Sequence, residues 1–200
     1  MRPTTLVCFD GQSRNNTPLS APATAPPSVA MAGRGLPWAN VSINAWGWVL
    51  LTSNGLPPST RVDPLVKGYA RTVLVMYGGE GDMGAFTGHT AAQAVVDAET
   101  YADARRTAGW DIIIGCTWAP APGLPNTCSD SDRLTIVNPG LLASDSFDYV
   151  VDLAADPRLA VTEPIFFDPD TDPEDYLHYT TAGAAIAAEI IGDTLDVALL

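Results

Sequence analysis

The chain has little of what most functional classes need. It carries one lysine, Lys67, and nine arginines against 23 acidic residues, a formal charge of −13 in 200 residues. Phosphate binding requires clustered Lys and Arg, and only Arg105-Arg106 are adjacent here, which argues against nucleic acid as a partner. There is no run of ~18 uninterrupted apolar residues, so no membrane span is expected. The first ten residues, MRPTTLVCFD, have one Arg and too short an apolar stretch for a signal peptide. The expectation is a protein that stays where it is made, or leaves by lysis or inside an assembly. Two separated histidines and three cysteines without CxxC spacing give no zinc site, and no other metal or cofactor is called for. Cys8 lies in an apolar run and reads as a buried, inert thiol. A Cys116–Cys128 bridge is open, with free thiols the favoured reading.

What is present is an apolar fraction of 46 %, enough for the core of a single domain over residues 1–200. Apolar runs alternate with helical stretches. TLVCF (5–9), ANVSIN (39–44), TVLVMY (72–77), WDIIIGCTW (110–118) and FDYVVDL (147–153) read as strands. TPLSAPATAPPS (17–28) reads as loop, too broken by proline for a regular element. Thr90 and Gln93 form a capping box, Val95, Ala98, Tyr101, Ala102 and Ala108 follow at helical spacing, and Gly109 ends that helix. RLTIVNPGLL (133–142) is helical for part of its length. Residues 181–198 form a last helix with Ile186, Ile190 and Val197 turned inward. Uniformly apolar strands between helices mean a parallel sheet covered on both faces, with ligands at the carboxyl ends of the strands. That rule selects DGQSRNN (10–16), NAWGW (44–48) and GGEGD (78–82).

A serine after a strand is by itself an ordinary turn residue, and Gly11-Gln12-Ser13-Arg14-Asn15 is not the G-x-S-x-G nucleophile elbow. A nucleophilic serine needs a base in hydrogen-bond reach and a group that orients that base. Asp175 and His178, three apart before the last helix, supply such a couple. His89 is the competing base, but it stands beside the capping box with no carboxylate near it in sequence.

The order of these pieces resembles the SGNH hydrolases (GDSL-type esterases) over nearly the whole chain. Gly11-Gln12-Ser13 stands where that family has G-D-S, and is similar to the G-Q-S of some carbohydrate esterases. Asp175 and His178 match its D-x-x-H block. The resemblance implies a flavodoxin-like three-layer α/β/α sandwich with a central parallel sheet. It also implies a serine esterase acting without cofactor through Ser13, His178 and Asp175, on small acyl groups linked to carbohydrate or cell envelope. The oxyanion hole it implies draws on the backbone of Ser13 and of Ala45, with Gly47 as the alternative. In the third block Gly81 stands where the family has an asparagine donor, and Asp82 keeps the block's aspartate in a turn role. Loss of one oxyanion donor costs ~10²–10³ in turnover. Asn15, Asn16, Gln12 or Asn44 could replace it, or the backbone donors could suffice for activated esters. The remaining reading is a catalytically weak or inactive glycan-binding module of a larger assembly, such as the virion of a bacteriophage with a GC-rich host. Trp46, Trp48 and Trp118 at the ligand edge of the sheet are expected to line an acyl pocket or sugar-stacking surface. FDPDTDPED (167–175) lacks EF-hand spacing and reads as the approach loop of the site.

Overall fold

The computed structural model describes residues 4–16, 22–44, 47–53, 57–83, 87–120, 128–160 and 178–200. Five strands, β1 (Thr5–Gly11), β2 (Trp38–Asn40), β3 (Arg71–Tyr77), β4 (Ile112–Cys116) and β5 (Tyr149–Val151), form one sheet in the order β2-β1-β3-β4-β5. Every pairing is parallel. The helices are α1 (Pro26–Met31), α2 (Trp48–Ser53), α3 (Pro58–Arg61), α4 (Ala91–Ala108), α5 (Asp130–Asp132), α6 (Asn138–Ala143) and α7 (Thr181–Ala198). A π-helical turn, Arg133–Val137, joins α5 to α6, so the 130–143 stretch is helical throughout.

Alternation along the strands builds two cores. Val7, Phe9, Val73, Val75, Tyr77 and Ile114 face α1 and α7. Leu6, Cys8, Leu74, Met76 and Ile113 face α2, α4 and α6. The result is the expected three-layer α/β/α sandwich, with the flavodoxin-like strand order. From β1 the chain moves outward to β2, whereas from β3 it moves to β4 on the other side. The carboxyl ends of β1 and β3, paired Gly11 to Tyr77, therefore form the topological switch point.

Several local expectations shift. Prolines do not break 17–28 throughout: Pro26 and Pro27 open α1, at N1 and N2 where a missing N–H has no partner to lose. Residues 17–21 lie outside the described residues. β2 starts one residue earlier and is shorter than 39–44, although Val41 and Ile43 still donate N–H to Phe9 and Gly11 carbonyls. Thr90 accepts the Gln93 N–H at 3.2 Å, but the Gln93 side chain turns to Asp97 instead of closing the box. In α7 Ile186 is buried and Ile190 partly so, whereas Val197 is exposed, because the inward face of the last turns runs through Ile191, Leu195 and Ala198. Cys8, Cys116 and Cys128 are all free and buried. No described helix is long and apolar enough to cross a membrane.

Candidate active site

β1 ends at Gly11 with φ of +146°, and a Cβ there would run into the Tyr77 carbonyl. The close approach lets Gln12 N–H donate to that carbonyl at 3.2 Å, and a 3₁₀ turn over Ser13–Asn15 follows. Ser13 is 6 % exposed, and its Oγ lies 2.8 Å from His178 Nε2. His178 is held there by its successor: Tyr179 is fully buried, its hydroxyl hydrogen-bonded to that of Tyr77 on β3. Thr180 then caps α7 by accepting the Gly183 N–H. Of the expected triad, Ser13 and His178 meet across 165 residues, and Asp175 lies outside the described residues. So do Ala45, Trp46 and the approach loop 167–175.

Beneath the serine lies a buried polar network. The Gln12 carboxamide accepts the Gly81 N–H at 3.2 Å and donates to the Glu80 carboxylate. Glu80 pairs with Arg14 at 3.2 Å, and both are essentially inaccessible. Arg14 donates further to the Tyr77 hydroxyl and to the carbonyls of Ala119 and Pro120, with its guanidinium 5.7 Å from the Tyr179 ring centre. Burial pushes the Glu80 carboxyl upward, and Arg14 pulls it back. Burial also raises the Tyr77 and Tyr179 hydroxyls, so both serve as neutral hydrogen-bonding groups.

A second charged knot supports β1 from the opposite side. Asp10 accepts the Gly11 N–H at 2.9 Å and is bound by Arg61 and the Tyr101 hydroxyl. Asp82 takes the turn role expected of it: its carboxylate accepts the N–H groups of Trp48 at 2.5 Å and Val49 at 3.1 Å, at the start of α2. Gly47 packs on that carboxylate so closely that a Cβ would strike it.

Other expected residues sit elsewhere. Asn15 is fully buried and spends both amide protons on the Asp10 carbonyl and Ser42 Oγ, so it is not available as an oxyanion donor. Asn16 is engaged likewise, by the Ser42 carbonyl and Asn44 Oδ1. The Gly81 N–H goes to Gln12, as above. No acceptor among the described residues takes the Ser13 N–H. Trp48 and Trp118 are core residues and not a ligand platform: they are 3 % and 1 % exposed, Trp48 against Tyr101 and Trp118 donating to the Gly78 carbonyl. His89 pairs with Asp97 at 2.5 Å, one turn into α4, a partner eight residues distant that its sequence surroundings hid. Among the described residues no three His, Cys, Asp or Glu side chains cluster as a metal site requires.

Arg14, Glu80, Asp10, Arg61 and Tyr179 went unmarked in the sequence. For Asp10, Arg14 and Glu80 the signal was a lone charge at a strand end, where a solvated reading is the ordinary one; Arg61 in α3 and Tyr179 before α7 gave none.

No family model and no curated protein matches the sequence. Solved structures do. A lipolytic protein of the G-D-S-L family from Desulfitobacterium hafniense DCB-2 superposes with a TM-score of 0.65 at 14% identity, over 95% of this chain and 98% of that one. A lipase/acylhydrolase from Enterococcus faecalis gives 0.62 at 15% identity, over 96% and 95%. A carbohydrate acetylesterase family member from Sinorhizobium meliloti gives 0.69 at 13% identity, over 97% and 98%. At such identities the likeness establishes a shared fold over nearly the entire length.

Proposed function

We propose that this chain is an SGNH-type serine esterase that removes small acyl groups from carbohydrate or cell-envelope esters. The observation that carries the reading is the 2.8 Å approach of Ser13 Oγ to His178 Nε2 at the switch point of the sheet. The hydroxyl is buried enough to be shielded from bulk water, yet sits at the strand ends where ligands bind in such sheets.

In this reading Ser13 attacks the acyl carbonyl as His178 takes its proton, and Asp175 holds the imidazole in the required tautomer. The proton passes to the leaving alkoxide, and water then releases the acyl group by the same route. The Ser13 N–H and a backbone N–H from Ala45 or Gly47 receive the developing oxyanion. A family resemblance to carbohydrate esterases at Gly11-Gln12-Ser13, and the shared fold with an acetylesterase, favour acetyl groups on sugars.

A second reading, a glycan-binding module without turnover, rests on one observation. Gly81 offers no side chain, and the amide protons of Asn15 and Asn16 are committed within the protein. Hydrolysis of p-nitrophenyl acetate and release of acetate from acetylated xylan decide between them. The esterase reading expects Ser13→Ala and His178→Ala each to lower kcat at least ~10³-fold. Rates equal to the buffer background in wild type, with the fold intact, support the binding module.

A further inference from the structure

Ser13 and His178 are tied together twice. The first tie is their own hydrogen bond of 2.8 Å. The second runs through the residue that follows each of them. Arg14, next to Ser13, donates to the Tyr77 hydroxyl at 3.1 Å, and that hydroxyl is bonded to the hydroxyl of Tyr179, next to His178. All three side chains are completely buried, with the Arg14 guanidinium 5.9 and 5.7 Å from the Tyr77 and Tyr179 ring centres. Tyr77 also reaches the residue before Ser13, since its carbonyl accepts the Gln12 N–H at 3.2 Å. It ends β3, the central strand of the sheet, so its own place is set by parallel pairing to β1. The two turns separate only by breaking buried hydrogen bonds whose groups water does not reach.

We propose that Tyr77 is a positioning residue: through Arg14 and Tyr179 its hydroxyl fixes the distance between Ser13 and His178 and so keeps the pair ready for proton transfer. The proposal rests on the esterase reading above. A misplacement of ~1 Å in such a pair costs up to ~10²-fold in rate. A hydroxyl that serves only the core would instead cost stability alone.

Tyr77→Phe removes the hydroxyl and keeps the ring. On p-nitrophenyl acetate its kcat should fall ~10–100-fold with KM little changed. Tyr179→Phe should do the same, and it carries the test if Tyr77→Phe does not fold. The double variant should be no slower than the slower single one, because both changes cut one bond. Thr72→Val is the control: it takes a buried hydroxyl, bonded to Asp111, from the opposite end of β3. It should lower the melting temperature and leave kcat at the wild-type value. A readout without substrate is the ring Cε1–H NMR signal of His178, told from that of His89, the other histidine, by its loss in His178→Ala. In Tyr77→Phe that signal should shift and broaden while the His89 signal stays. Wild-type kcat or an unchanged His178 signal in folded Tyr77→Phe overturns the proposal. So do losses that multiply in the double variant, or a drop in Thr72→Val equal to that of Tyr77→Phe. If Ser13→Ala matches wild type, the esterase reading itself fails and takes the proposal with it. If Ser13 is required and Tyr77→Phe keeps full kcat, the proposal alone falls.

Discussion

Replacing Glu80 by glutamine isolates the worth of one charge. Arg14 is fully buried and Glu80 2 % exposed, 3.2 Å apart. Glutamine keeps the shape and an oxygen for the Gln12 amide, so the main change is a buried guanidinium stripped of its counter-charge. Breaking a buried pair costs ~3–5 kcal/mol. Arg14 retains the Tyr77 hydroxyl and two carbonyls as acceptors, which places the expectation at the lower end, ~3 kcal/mol. With a urea dependence of ~2 kcal/mol per molar, the unfolding midpoint should fall by ~1.5 M. Urea titrations followed by circular dichroism and by tryptophan fluorescence give the number, provided that the two probes coincide. The companion Arg14→Met with Glu80→Met removes both charges and should be less destabilised than Glu80→Gln alone. A loss below ~1 kcal/mol for Glu80→Gln, or a double variant worse than either single one, would refute the reasoning.

Asp82 should make stability fall as pH rises. Its folded value of about 6 lies above 3.8, so the native state holds the proton more tightly, and ionisation between pH 4 and 7 costs ~3 kcal/mol. Asp82→Asn should therefore gain on wild type across that window in calorimetry, and parallel curves would contradict it. Gly11→Ala puts a Cβ into the Tyr77 carbonyl at a φ of +146°. The expected loss is at least ~3 kcal/mol, seen as poor soluble yield or a collapsed melting transition. Burial raises the Cys8, Cys116 and Cys128 thiols, Cys128 to about 12. Ellman's reagent should therefore find no fast-reacting thiol at pH 8 and three after urea is added.

Much of this architecture is readable in the chain because apolar runs and caps are local signals. The strands at 5–9 and 72–77 emerge because every side chain in them but Thr5 is buried on one face or the other. The Thr90 cap and Gly109 stop bracket α4 for equally local reasons. Ser13 and His178 could be paired from the sequence because histidines are few and the blocks flanking the two residues are distinctive. Tertiary pairing was not readable. Arg14 and Glu80 find each other over 65 intervening positions, and nothing near either announces burial. Trp48 and Trp118 were expected at a ligand edge of the sheet, but their rings turn into the core with Tyr101, Val137 and Leu141. Asn15 failed as a donor for a similar reason: proximity in sequence to the serine says nothing about which carbonyl claims its amide.

The 2.8 Å bond between Ser13 and His178 also has a meaning in time. Residue 13 leaves the ribosome 165 positions ahead of its histidine partner, which is anchored by Tyr179 and α7. At ~5–20 residues per second, Ser13 waits ~10–30 s for its partner. A ribosome stalled before residue 178 therefore holds a chain in which this bond cannot form. Fragments 1–160 and 161–200 supplied separately would report by their chemistry whether the last helix can find its groove unaided.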